Sequence, residues 1–469
     1  MLHIGWASRD ITPPRPAMLM GQMHRRIARS ALDPITVTAL PVDSPGDHAR
    51  AILVSCDLAF VSESLRAMVC ERLTANVPSL RPEDLIMNGT HTHTSLVFED
   101  GYYAHPGGDV MTAAECEALI ADRAAEAAAE AWQARKPRRI SRAFGHAVVG
   151  HCRYAVYADG HAEMYGRTDR DDFAAIGGCE DHSLDILFIW ETNGSLSGVV
   201  LAIPCPSQVD EQLEQFSADY WHDVRTELRR RLGRQLGVLP VCSAAGDQSP
   251  HFLIYGPQEE EMRRCRKLTE RQEIARRVAD AVELAIRCTG PAGSTGPAGS
   301  TGPAGCDGPA GCDGPLGHRV KRLKLPPYAI SRAERDWASA TCDQLAGTVD
   351  PASWWPTRLR QVVEQFDGLR PAEPFPAEIH VLRLGGLALA TNPFELFLDY
   401  GHRIKARSAA PQTMLMQLAG LGFYLPSPAA VQRGGYGAMP AVSSVGPVGG
   451  AQLVEETLSL IRELFPPAR

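Results

Sequence analysis

Short apolar runs bounded by polar residues limit what this chain can become. Ala51-Ile52-Leu53-Val54-Ser55-Cys56 and Leu184-Asp185-Ile186-Leu187-Phe188-Ile189-Trp190 are too short for buried helices. They are rich in branched and aromatic side chains, so they read as strands. Leu184–Trp190 and Gly198–Ile203 flank Thr192-Asn193-Gly194, and Asn-Gly is a strong turn signal, so the two predict a hairpin. Val381–Leu384 and Leu387–Ala390 predict a second hairpin around Gly385-Gly386. Between such runs lie helical patterns. Ser62–Asn76 has apolar residues at helical spacing, Ala113–Trp132 is rich in Ala and Glu, Glu259–Arg287 reads as one long amphipathic helix, and Gln452–Leu464 closes the chain. Asp84–Thr94 and His318–Leu325 read as further strands. The mixture predicts an α/β or α+β architecture of layered sheets flanked by helices.

The 469 residues carry 47 Lys plus Arg against 55 Asp plus Glu, a net charge of −8. No basic field dominates, which argues against a nucleic-acid partner. No apolar run reaches the roughly 18 residues of a membrane span. Met1–Trp6 lacks a basic stretch leading into an apolar segment, so a cytoplasmic location is expected. None of the 12 cysteines forms a Cys-x-x-Cys pair, which excludes a zinc ribbon or thioredoxin motif and predicts reduced thiols. One segment breaks the pattern. From Gly290 to Gly317 every third residue is Gly, the collagen signature. The tract is short, Pro never occupies its third position, and both ends return into globular sequence. These features favour a surface loop over a homo-oligomerising triple helix.

Four local patterns carry chemistry. Asn88-Gly89-Thr90-His91-Thr92-His93-Thr94 would put both imidazoles on one side of a strand, where they suit a metal, or one ligand beside one catalytic base. Ala244-Ala245-Gly246-Asp247-Gln248-Ser249-Pro250 is a small-residue turn after the strand Gly237–Val241, able to expose a nucleophilic Ser or serving as an ordinary Asp/Ser turn. Glu395, in Asn392-Pro393-Phe394-Glu395-Leu396-Phe397, is an acid inside an apolar run: a metal ligand, a general base, or a cap for the following helix. Tyr424 and Tyr436 lie in Gly/Pro-rich loops that could aim phenols at a substrate or simply fill space.

Taken together and in this order, the patterns resemble the catalytic domain of the neutral ceramidases. Gly5-Trp6-Ala7-Ser8-Arg9-Asp10-Ile11-Thr12-Pro13-Pro14 is similar to that family's opening strand and turn. The likeness spans nearly the whole chain apart from the Gly-X-Y tract. It implies a single hydrolase domain over 1–469, interrupted at 290–317 and without the family's C-terminal β-sandwich. It implies one zinc held by His91, Glu395 and Tyr424, with His93, Ser249, Arg153 and Tyr436 as catalytic residues. The expected reaction is hydrolysis of a lipid-like N-acyl amide, with Ser249 or a metal-bound water as nucleophile. A metal-dependent hydrolase of a small polar metabolite or ester, and a non-enzymatic assembly protein, are the alternatives. One departure stands out: where the family has a second His ligand this chain has Cys205, in Pro204-Cys205-Pro206. A thiolate is a good zinc ligand. His222 is the substitute.

Overall fold

The computed structural model describes residues 1–46, 49–289, 315–347 and 354–467. Nearly all of the Gly-X-Y tract therefore lies outside the described residues. Two sheets form the centre. The larger has nine strands in the order Gly237–Cys242, Leu196–Ile203, Ser183–Trp190, Lys136–His146, Leu2–Ile4, Thr36–Ser44, Ala49–Cys56, Leu85–Gly89, with Ala7–Asp10 also pairing on Thr36–Ser44. The smaller has four, in the order Leu316–Leu325, Phe375–Leu384, Leu387–Thr391, Gln412–Met416. Both predicted hairpins form, with Leu187 opposite Val200 and Leu382 opposite Leu389.

The sheets pack face to face. Leu40, Leu53, Leu187 and Val200 from one meet Leu382, Leu389 and Met414 from the other in a single buried cluster. Such strands lose water on both faces, which is why their sequences read as continuous apolar runs rather than alternating ones. Helices cover the outer faces. Glu63–Asn76 and Ala113–Gln133 lie against one half of the large sheet, and Tyr220–Leu232 and Glu270–Thr289 against the other. Leu398–Arg407 and Pro447–Leu464 cover the small sheet. The result is four layers, helix–sheet–sheet–helix. The helix starts follow capping rules: Ser62 accepts from the Leu65 amide, and Thr112 forms a reciprocal box with Glu115.

Two expectations change. The strand predicted to reach Thr94 ends at Gly89. Beyond it the chain turns, with His91 at φ 65°, so the two imidazoles do not alternate on a strand. The long helix predicted over Glu259–Arg287 is two helices, Gly256–Arg266 and Glu270–Thr289. Lys267 takes the left-handed conformation at the break. Thr269 then restarts the chain: its hydroxyl accepts from the Gln272 amide while the Gln272 side chain accepts from the Thr269 amide.

Most neighbouring strands are antiparallel. Within the two sheets three pairs are parallel: Ala49–Cys56 with Leu85–Gly89, Leu196–Ile203 with Gly237–Cys242, and Leu387–Thr391 with Gln412–Met416. Loops leaving the carboxyl ends of parallel strands are the usual builders of sites in such sheets. Here all three pairs send their loops to one place.

Candidate active site

Those loops enclose a cavity of about 330 Å³. His91 and His93 come from the first strand pair, Gln208 and Glu211 from the second, and Glu395 and Tyr424 from the third. Arg153, Tyr165 and Tyr436 complete the polar wall. Phe60, Tyr102, Trp354, Leu421, Phe423 and Val442 add aromatic and aliphatic surface to the lining. Gln417 stitches the second and third loops: its carbonyl oxygen accepts from the Ala245 and Leu396 amides, and its own amide donates to Cys242 Sγ.

His91 is held from both sides. Its backbone amide donates to the Leu58 carbonyl, and Nδ1 donates to the Ala59 carbonyl at 2.6 Å. That fixes the ring proton on Nδ1 and leaves the Nε2 lone pair free, the arrangement by which a protein orients a ligating His. Nε2 lies 3.1 Å from Glu395 Oε2 and, though buried, has no hydrogen-bond partner. Glu395 and Tyr424 are opposed in a two-residue parallel ladder, which sets the phenol beside the carboxylate. Burial alone would raise the Glu395 pKa, but His91, Arg153 and Tyr424 outweigh it and hold it low. Burial carries the Tyr424 phenol up, beyond what the nearby Arg153 charge offsets. Glu395 does not cap the helix after it; Asp247 accepts from the Leu398 amide instead.

His93 faces a different carboxylate. The Gln208 amide donates to its Nε2 at 2.7 Å, so the ring proton sits on Nδ1, 3.2 Å from Glu211 Oε2. Burial is the largest influence on His93 and leaves its pKa below the ordinary imidazole value. The other Glu211 oxygen lies 3.5 Å from His251. Arg26, almost fully buried, clamps these loops by donating to the carbonyls of Met20, His93, Glu211 and Leu213. Arg153 is also buried. It donates to the Gly246 carbonyl at 2.8 Å and lies 5.3 Å from the Tyr424 ring centre. Tyr436 packs edge-on to Tyr424.

Ser249 stands one layer back. It is fully buried in a short strand paired with His151–Cys152, and its Oγ accepts from the Tyr165 hydroxyl and the His251 amide. Cys205 is not brought to the cavity. It is fully buried in the core beneath the helix Tyr220–Leu232, with its sulfur against the Val149 and Pro206 carbonyls. Burial raises its thiol pKa well above normal. His222 is no substitute, because it sits partly exposed near Asp33. The expectation of a Cys205 or His222 ligand is therefore corrected: a thiol reading based on chain position did not account for which way the loop turns.

Gln208, Glu211, His251 and Gln417 escaped the sequence reading, since isolated polar residues in loops carry no periodic signal. Four of the six non-glycine residues with positive φ among the described residues, His91, Tyr165, Leu418 and Phe423, line this one cavity. Strain of this kind gathers where the surrounding fold over-determines a site. Among the described residues no three His, Cys, Asp or Glu side chains form a metal cage. The donor set that does converge is His91, Glu395 and Tyr424. An imidazole with an orphaned lone pair, a carboxylate and a phenol fit a three-donor site with an open position.

No protein-family model matches the sequence, and no curated protein is detectably similar to it. Solved structures are. The crystal structure of neutral ceramidase from Pseudomonas aeruginosa matches with a TM-score of 0.68 at 14% identity, over 100% of this chain and 75% of that one. A ceramidase complexed with C2 matches with a TM-score of 0.68 at 16% identity, over 100% and 76%. The chain has a neutral ceramidase-like fold.

Proposed function

We propose that this chain, on its neutral ceramidase-like fold, is a metal-dependent hydrolase that cleaves the amide of an N-acyl substrate. The observation that carries the reading is the meeting of His91, Glu395 and Tyr424, with His93 beside them, in a cavity that also has an aromatic and aliphatic lining. The polar groups suit a scissile amide, and Phe60, Trp354 and Phe423 suit an acyl chain. A shallow polar pocket would have favoured a small metabolite instead.

His91 Nε2, the Glu395 carboxylate and the Tyr424 phenol would hold the metal, with zinc the expected ion. When bound it supplies Lewis-acid polarisation of the scissile carbonyl. His93 is neutral by virtue of its burial, and its Nε2 carries the lone pair that takes a proton from the attacking water once the Gln208 amide yields its place. Glu211 holds the ring proton on Nδ1 and so keeps that lone pair aimed inward. Arg153 and Tyr436 point positive charge and a phenol at the developing oxyanion. Ser249 lies behind Tyr165 with its oxygen already accepting two hydrogen bonds, which favours water as the nucleophile and gives Ser249 the task of positioning Tyr165.

Metal content by elemental analysis, read beside hydrolysis of N-acyl amides of graded chain length, tests this. About one zinc per chain is expected in the wild type and in Cys205→Ala, and none in His91→Ala or Glu395→Gln. Metal-free wild type that also refuses added zinc would remove the mechanism. Ser249→Ala is expected to retain most turnover; a loss of several orders of magnitude would return the nucleophile's role to serine.

A further inference from the structure

We propose that a second cavity, separated from the first by the Phe423 ring, binds an oxyanion, the carboxylate or phosphate group of an anionic ligand, between Arg358 and Arg370. This cavity measures about 520 Å³ and lies between the helix Trp354–Phe366 and the loop leading into the strand Phe375–Leu384. Arg358 is its decisive residue. Its Nε donates to the Ala441 carbonyl at 2.8 Å and its Nη1 to the Gln361 side-chain oxygen at 3.3 Å. Its guanidinium stands 4.8 Å from the Phe423 ring centre. No carboxylate pairs with it among the described residues, whereas Arg231 touches three acids and Arg271 three.

A guanidinium that is largely removed from water and lacks a counter-charge is costly to keep. Arg370 makes it costlier, since its own charge repels Arg358 and it too forms no ion pair among the described residues. Two cations lining one cavity, with neutral donors in Gln365 and Ser444 also in its lining, are what a bidentate oxyanion needs. Glu373 also lines the cavity but reaches neither arginine. The site is a neighbour of the catalytic one. Phe423 and Val442 line the first cavity, while Arg358, stacked on Phe423, and Ser443 line the second. An anion drawn to Arg358 would thus bear on the strained Phe423 that forms the wall of the first.

Thermal unfolding at constant ionic strength tests the proposal without reference to hydrolysis. Sodium chloride is replaced stepwise by sodium phosphate in one series and by sodium acetate in another. A ligand held only by the folded state raises the melting temperature saturably. The wild type is expected to show this, and Arg370→Gln, an exposed change that leaves the first cavity intact, to need about tenfold more anion for the same rise. Arg358→Gln is expected to abolish it. Saturation with acetate alone marks a carboxylate ligand, with phosphate alone a phosphorylated one, and with both a site reading the shared oxyanion. No saturable rise in either series, or equal midpoints in wild type and Arg370→Gln, overturns the proposal; equal midpoints would place the anion elsewhere, including the first cavity.

Discussion

Two residues show how little freedom the site leaves. Gly21 has φ +107°, and a Cβ there would lie 2.3 Å from His93 Cγ. The backbone passes so near the imidazole that only glycine fits. Gly21→Ala is expected to push His93 off Glu211 and to cost about 1–3 kcal/mol by overpacking alone, read by urea denaturation. Asp57 is the second. In the structure it receives both Arg225 Nη groups, at 2.8 and 2.9 Å, and the Thr36 amide and hydroxyl. It ties the helix Tyr220–Leu232 to the end of the strand Ala49–Cys56, which pairs with the strand from which the His91 loop departs. Arg225→Met leaves that carboxylate buried and uncompensated, and a loss of about 3–5 kcal/mol is expected in the same denaturation assay. A Lys would not restore it, because a point charge cannot make the two-pronged contact.

At the scale of elements, the helix break at Lys267 has an electrostatic consequence. It lets Arg266 fold back on Glu273, where Arg276 and Arg277 also converge, at 2.7, 2.7 and 3.0 Å. Burial opposes ionisation of Glu273, but the three arginines win and hold its pKa at about 2. An unfolded Glu titrates near 4.3. Between these values the unfolded state binds the extra proton, so stability rises with pH and falls on acidification. The advantage of wild type over Glu273→Gln is therefore expected to be full above about pH 5 and to fade toward pH 2. Denaturation series at several pH values would check this, and a pH-independent difference would refute it. Arg231 behaves similarly: it clasps Glu227, Asp280 and Glu283 across two helices.

For the whole molecule, the shared core between the sheets is the critical interface. Leu53 and Leu389 are both fully buried there, on opposite sheets. Truncating either to Ala is expected to cost about 2–5 kcal/mol. Because both line one core, each should shift the same single unfolding transition, followed by near- and far-ultraviolet circular dichroism; two separable transitions would show that the sheets unfold independently. The same interface explains what could be read beforehand. Strands, hairpins and most helices were legible because burial imposes a periodicity or a run of apolar residues that no partner needs to supply. His91, His93, Arg153, Glu395, Tyr424 and Tyr436 were legible because the order of their motifs resembles a family, and the fold brings all six to one cavity. Cys205 was misread, since chain position alone does not say which side of a turn a thiol faces. Gln208, Glu211 and the paired and unpaired arginines were beyond reach: each owes its role to a neighbour distant in the chain and near in space. The sequence by itself thus determined the elements and the chemical types available, because those depend on local pattern. Only the tertiary structure decided which charges meet, because three loops from two sheets must converge before any of them has a partner.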